Sequence, residues 1–282
     1  MQLRPNQDLP RYLIDLAHEF IHVEMRERYN ISNNYYFLSP EDFAFRNLVE
    51  ETFAKAIDLW VYLSDPAIPN DRQIRNSHTV TAESYVIADA MRNDLRAAHP
   101  NYSEEQLNDM VAARMINTMM TSANAYSISN IPNAMATYGR SNTFLIPEYA
   151  AYRARGDMLL RHKWNHLASL MPFSLPADVN YDHYRGRFMN HVNWWATFAQ
   201  RPEDSILYWI NYDAAGAAQR RLAALPENDR RYNYLPRADE QRLNRIFQQL
   251  DPTFVPVNTL LSEQRMFQEV MEDFRRRQNQ GR

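Results

Sequence analysis

Residues 9–29 read LPRYLIDLAHEFIHVEMRERY and residues 39–64 read SPEDFAFRNLVEETFAKAIDLWVYLS. In the first stretch the apolar residues recur at helical spacing, and two arginines stand in the last turn, where cations suit the helix dipole. The second stretch begins with Ser39 in the N-cap position and Pro40 at the first helical position. The two stretches therefore predict a pair of helices, over residues 9–29 and about 40–64.

The rest of the chain also favours helices. It has only 5 glycines in 282 residues, whereas average usage is about 7% and tight hairpins consume glycine. Further helical patterns occur at 81–98, 103–127, 147–171, 180–200, 203–224, 238–250 and 258–277. We predict a mainly α, multi-helix domain with little or no β-sheet beyond a short strand pair around residues 33–37. Residues 1–70 would form one helical pair, and residues 71–282 a helical region that completes the domain and has no assigned function.

The composition excludes several classes of function. The chain has 31 basic and 34 acidic residues, so no overall field would recruit nucleic acid. It has no cysteine, which leaves any metal to histidine and carboxylate ligands. No apolar run approaches the roughly 18 residues that span a bilayer, and the N-terminal MQLRPNQDLPRYL lacks a signal-peptide core. Dinucleotide-binding, P-loop and serine-hydrolase glycine motifs are also absent.

The first predicted helix contains an HExxH motif, His18-Glu19-Phe20-Ile21-His22. Positions i and i+4 lie about one turn apart on one helix face, so both imidazoles can reach a single ion. Zinc lowers the pKa of a bound water to about 7, and a neighbouring glutamate can take its proton during attack on a carbonyl. We therefore predict His18 and His22 as zinc ligands and Glu19 as the general base.

A third ligand must come from elsewhere in the chain. The extended motif HExxHxxGxxH is excluded, because its glycine and last histidine positions are Met25 and Arg28. The second predicted helix contains EETFA at residues 50–54. This run resembles the asparagine-glutamate-glycine-phenylalanine-alanine run of gluzincin aminopeptidases, with Glu51 at the ligand position and Glu50 in place of asparagine.

Helical periodicity favours the same choice between the two glutamates. Glu51 lies close to the predicted buried face of its helix and Glu50 lies nearer the edge of that face. The resemblance implies a ligand set of two histidines and one glutamate. The loop of about ten residues between the two helices is long enough for the second helix to fold back antiparallel on the first. Phe20 and Ile21 would then pack near Phe53 and Ala54.

The resemblance covers roughly residues 9–64. The segment also resembles bacterial domains of unknown function assigned as metallopeptidases, several of which occur in secreted effector proteins. It implies a zinc-dependent hydrolase, in which water activated by Glu19 attacks the carbonyl of a protein or peptide substrate. We expect a cytoplasmic protein, or an effector secreted without a Sec signal peptide.

Gluzincins also carry a β-sheet before the HExxH helix, and only about ten residues precede that helix here. The alternative is therefore a catalytically silent helical effector or scaffold that binds a protein partner. A di-iron bundle would need a second ExxH, which the chain does not contain. The oligomeric state has no signature in the sequence.

Several other polar residues are candidates for supporting roles. Asp15 and Asp58 could each accept the second ring N–H of a ligand histidine. A tyrosine could stabilise the oxyanion of a tetrahedral intermediate, and the candidates among the 17 tyrosines are Tyr138, Tyr149 and Tyr152.

Two further histidine pairs are better explained structurally. His162 and His166 stand at i and i+4 without an intervening carboxylate, which favours a polar stripe on a surface helix. His183 and His191 lie in an aromatic-rich segment that is typical of the end of a core helix.

Overall fold

The structure, a computed structural model, describes residues 9–29, 37–65, 79–121, 149–198 and 237–257. Within these ranges it contains eight α-helices and no strand, which confirms the mainly α prediction. The helices are α1 (Leu9–Tyr29), α2 (Pro40–Ser64), α3 (Thr79–Ala98), α4 (Glu104–Thr121), α5 (Ala150–Arg153), α6 (Gly156–Leu170), α7 (Tyr181–Phe198) and α8 (Arg237–Leu250).

Local capping explains where two of the helices begin. At the start of α2 the Ser39 hydroxyl accepts a hydrogen bond from the Asp42 backbone N–H at 3.2 Å. At the start of α4, Ser103 and Gln106 form a reciprocal capping box, with bonds of 2.9 Å and 3.2 Å between side chain and backbone. Both N-termini were predicted from these residues, because the capping chemistry is local.

The helix predicted over 147–171 is wrong as a single element. The chain leaves helical geometry at Arg155 (φ −116°, ψ 12°), and α5 and α6 lie on either side of the break. The Arg155 guanidinium donates to the Asp251 carboxylate at 2.7 Å. The next residue, Gly156, packs against the Asp42 side chain at the start of α2. The break therefore depends on contacts with distant parts of the chain.

Other predicted elements lie outside the described residues. They are the helices over 203–224 and 258–277, the end of the helix over 103–127, and all of the strand pair around 33–37 except Phe37.

Helix α1 packs antiparallel on α2. Ile14, near the start of α1, lies in an apolar cluster with Leu59 and Tyr62 from the last turns of α2. Met25, near the end of α1, lies in a second cluster with Phe45 from the first turns of α2. Ile21 is fully buried as expected, but the Phe20 residue is 51% exposed on the outer side of α1. The expectation that Phe20 packs near Phe53 and Ala54 is therefore wrong.

Helix α2 lies at the centre of the core. The larger cluster joins its first half to α1 and to helices α4 to α8, and the smaller cluster joins its last turns to α1, α3 and α4. The Phe53 and Trp164 rings lie 5.0 Å apart edge to face, which packs α6 against the middle of α2. Residues on both sides of position 70 thus share one core. Within the described ranges, no helix is long and apolar enough to cross a membrane.

Two glycines provide a matched test of this packing. An alanine Cβ at Gly156 would collide with the Asp42 carboxylate, which pairs with Arg185 of α7. We expect Gly156→Ala to lower the free energy of unfolding by about 1–3 kcal/mol, measured by chemical denaturation.

Gly186 is the control, because a Cβ there would meet no atom within 4 Å on the exposed side of α7. Gly186→Ala should raise the free energy of unfolding by roughly 0.5–1 kcal/mol, as alanine favours a helix interior. Equal stabilisation by both alanines would contradict the packing of α6 on α2.

Candidate metal centre

Three candidate ligands from α1 and α2 meet at the interface of the two helices. The Nε2 atoms of His18 and His22 lie 3.3 Å apart. Glu51 Oε2 lies 3.6 Å from His18 Nε2, and Glu51 Oε1 lies 3.5 Å from His22 Nε2. One donor atom from each residue can be chosen so that all three lie within 4.8 Å of one another. The structure thus brings together the residues that the sequence proposed as ligands.

The spacing of these donors suits a tetrahedral zinc ion. With bonds of roughly 2.0–2.2 Å, the ligand atoms of a tetrahedral site lie about 3.3–3.6 Å apart. The two Nε2 atoms lie 3.3 Å apart, within this range, and each faces a different Glu51 oxygen, at 3.6 Å from His18 and 3.5 Å from His22. Imidazole and carboxylate lone pairs that converge in this way repel one another unless a proton or a metal cation lies between them. The donor set of two imidazoles and one carboxylate therefore fits zinc.

Asp58 orients the first of the two histidines. Its Oδ2 atom lies 3.2 Å from His18 Nδ1, on the side of the ring away from Glu51. A hydrogen bond there places the ring proton on Nδ1, which leaves the Nε2 lone pair directed at the other donors. Of the two aspartates proposed for this role, Asp58 makes the contact, and Asp15 is half-buried one turn before His18.

The two carboxylates create a field that favours positive charge. Burial alone would lower the pKa of His18, but hydrogen bonds with Asp58 and Glu51 and their negative charges raise it to about 10. A metal cation bound to His18 must displace the proton that this field favours. Zinc affinity should therefore rise with pH over the range in which His18 would otherwise remain protonated.

Glu50 makes a different set of contacts. Its two oxygens accept hydrogen bonds from the Arg46 guanidinium at 2.8 Å and 2.9 Å, and Oε1 lies 3.4 Å from Lys163 Nζ. Burial would raise the pKa of Glu50, but the charges of Arg46 and Lys163 hold it below the ordinary glutamate value. Glu50 therefore links α2 to α6, and Glu51 is the glutamate that faces the histidines. The expectation that Glu51 lies closer to the buried face than Glu50 is wrong, because Glu50 is buried at the contact with α6 and Glu51 is partly exposed.

The proposed base lies beside these ligands. Glu19 follows His18 on α1 and is half-buried. Side-chain exposures of 25% for His18, 27% for His22 and 31% for Glu51 leave the cluster open to solvent. Water can therefore reach it.

The tyrosines proposed as oxyanion donors lie in the core or outside the described residues. The Tyr152 ring stacks on Phe247 and Phe254, and its hydroxyl donates to Asn244 Oδ1 at 2.5 Å. Tyr149 is fully buried in the same cluster, with its ring 5.9 Å from that of Tyr152. We assign both to packing, and Tyr138 lies outside the described residues.

The histidine pair on α6 attaches that helix to α1. The Tyr29 hydroxyl and His162 Nδ1 form a hydrogen bond of 2.8 Å, and His166 Nε2 lies 2.9 Å from Glu24 Oε1. These residues are contacts between helices rather than a surface stripe. Of the other pair, His183 lies exposed beside Tyr184, and nothing is described of the His191 side chain.

One residue at the site was missed by the sequence reasoning. Lys55 Nζ lies 3.0 Å from Asp58 Oδ2, the same oxygen that faces His18. Its spacing, four residues after Glu51 and three before Asp58, is the signal that could have placed it on the same helix face.

Comparisons of the chain with protein-family models, with curated proteins and with solved structures give no match.

The two adjacent glutamates give opposite predictions. Glu51→Gln should weaken zinc binding by more than the roughly 10–100-fold typical of losing an outer partner, because it removes one of three ligands. It should lower the stability of the zinc-free protein less than Glu50→Gln does, because the Glu51 side chain is partly exposed whereas Glu50 is buried between two cations. Competition with a chromophoric chelator measures the affinity.

Glu50→Gln is the matched control. It leaves Arg46 and Lys163 without their buried anion, so it should lower the free energy of unfolding by about 3–5 kcal/mol. Zinc affinity of the folded protein should stay within a few-fold of wild type. The reverse pattern, in which Glu50→Gln loses zinc and Glu51→Gln keeps it, would overturn the ligand assignment.

Proposed function

We propose that this protein is a zinc-dependent hydrolase that cleaves peptide bonds, with His18, His22 and Glu51 holding the metal. The observation that supports the proposal most strongly is the convergence of two imidazole nitrogens and one carboxylate at separations of 3.3–3.6 Å. A zinc ion held there would act as a Lewis acid that polarises a carbonyl and lowers the pKa of a coordinated water.

The residues around the ligands support hydrolysis rather than a purely structural metal. Structural zinc sites are closed by four protein ligands, whereas catalytic sites keep a position open for water or substrate. This cluster supplies three protein ligands among the described residues and is partly exposed to solvent. The open position therefore favours chemistry on a bound molecule.

Glu19 is the residue to which we assign proton transfer. Its place next to His18 in the HExxH sequence puts a carboxylate beside the ligand cluster. In the proposed reaction it accepts a proton from the attacking water and then donates that proton to the leaving amine. Asp58 keeps His18 in the tautomer that leaves Nε2 available as a ligand.

The choice of a peptide substrate depends on the motif resemblance. An HExxH helix followed by a ligand glutamate on a second helix resembles the gluzincin arrangement, and gluzincins hydrolyse peptide bonds. A library of fluorescence-quenched peptides, incubated with the zinc-loaded chain, tests this class directly. Cleavage that stops with a chelator and returns with zinc is the expected result.

Glu19→Gln should separate metal binding from catalysis. The amide keeps the shape of the side chain but cannot accept a proton, so zinc should remain bound at one ion per chain. The rate of peptide cleavage should fall by about 10²–10⁴-fold. Metal analysis and the peptide library measure the two properties on the same sample.

Glu27→Gln is the control on the same helix, because Glu27 is exposed near the end of α1. This variant should cleave at the wild-type rate. Cleavage by Glu19→Gln within a few-fold of wild type would remove Glu19 as the base. A zinc-loaded wild-type chain that cleaves no peptide would contradict the hydrolase proposal itself.

A further inference from the structure

The Asp58 carboxylate, which contacts His18, makes its contacts through a single oxygen. Asp58 Oδ2 lies 3.2 Å from His18 Nδ1 and 3.0 Å from Lys55 Nζ. The other oxygen, Oδ1, is buried and has no hydrogen-bond partner among the described residues. The orientation of the Asp58 carboxylate therefore depends on the two donors that share Oδ2.

Lys55 is itself fixed in place. Its side chain is only 12% exposed, and its ammonium lies 4.8 Å from the centre of the Tyr85 ring on α3. The Tyr85 ring stacks on Tyr62 of α2 at 4.5 Å. A continuous series of contacts thus runs from α3 through Lys55 and Asp58 to His18.

We propose that Lys55 is a positioning residue of the metal centre, which acts on His18 through Asp58. By holding Oδ2, the ammonium keeps the carboxylate in the rotamer that accepts the His18 Nδ1–H. The His18 ring then directs Nε2 at Glu51 and His22. This inference deepens the proposed function and rests on its metal site, not on the hydrolysis of any substrate.

A positioning role of Lys55 and a simple charge effect predict opposite changes in zinc affinity when Lys55 is replaced. The Lys55 ammonium is a positive charge near a cation site, so by Coulomb repulsion alone its removal would tighten zinc binding. If Lys55 instead fixes Asp58, its removal lets the carboxylate leave the rotamer that contacts His18 and frees the His18 ring. Zinc binding would then weaken, and the geometry of the bound metal would change.

The first test replaces the ammonium and keeps the aliphatic stem. Lys55→Met should weaken zinc affinity by about 10–100-fold, the range typical of losing a partner behind a ligand histidine. The visible absorption spectrum of the cobalt-substituted protein should change, because it reports the coordination geometry. Thermal unfolding of the variant checks that the protein still folds.

Two further variants control this result. Lys55→Arg keeps a charged donor that can stack on Tyr85, so it should restore zinc affinity to within a few-fold of wild type. Arg161→Met removes a cation from an exposed ion pair with Asp182 and should leave zinc affinity unchanged. If zinc affinity is lost in Lys55→Met and recovered in Lys55→Arg, the effect comes from the hydrogen-bond donor at position 55 and not from general stabilisation.

A double-mutant cycle tests whether Lys55 acts through Asp58. In an Asp58→Asn background, Lys55→Met should change zinc affinity by less than about twofold, because the partner is already lost. Tighter or unchanged zinc binding by the single Lys55→Met variant would overturn the inference. So would an equal loss in both backgrounds.

The same measurements separate this inference from the proposed function. If the wild-type protein binds zinc at these residues and Lys55→Met has no effect, the inference alone fails. If zinc binds and shows the Lys55 dependence but no peptide is cleaved, the hydrolase proposal alone fails. If the wild-type protein binds no zinc at His18 and His22, both fail.

Discussion

The antiparallel packing of α1 on α2 is the constraint on which the site depends. His18 and His22 lie one turn apart on α1, and they meet a carboxylate only if the facing turn of α2 carries Glu51. A slip of one residue along α2 would rotate Glu51 by about 100° and remove it from the cluster. The apolar contacts on both sides of the cluster fix this register, with Ile14 towards one end of the interface and Met25 towards the other.

Polar contacts give the packing of α6 its specific orientation. The buried Lys163 lies beside Glu50 of α2, and its ammonium is 4.5 Å from the centre of the Tyr29 ring on α1. His162 bonds the hydroxyl of that same tyrosine. Such groups are costly to bury unless each finds its partner, so they favour one arrangement of the three helices over others. Glu50 contacts α6 while Glu51 contacts α1, because neighbouring positions on a helix point in different directions.

Local signals allowed much of this arrangement to be predicted from the sequence. Ser39 and Pro40 marked the start of α2, and the spacing of HExxH placed two histidines on one face. The motif resemblance pointed to Glu51 rather than Glu50, whereas the periodicity argument for the same choice misjudged their burial, because Glu50 is 6% exposed and the Glu51 side chain is 31% exposed. Each inference used residues within a few turns of one another, where helix geometry alone relates positions.

The features that could not be predicted depend on distant contacts. The break before α6 reflects the approach of Gly156 to Asp42, which no local pattern encodes. The Tyr152 hydroxyl bonds Asn244, so a residue considered for chemistry lies instead in the core. Lys55 is an intermediate case. Its helical spacing to Asp58 was visible, but its contact with Tyr85 required the placement of α3.

Anomalous diffraction at the zinc absorption edge, from crystals of the full chain grown with zinc, would locate the metal directly. One strong peak is expected at roughly 2.0–2.2 Å from His18 Nε2, His22 Nε2 and a Glu51 oxygen. A crystal without a peak at these residues, or with zinc bound instead at His162 and His166, would contradict the ligand assignment.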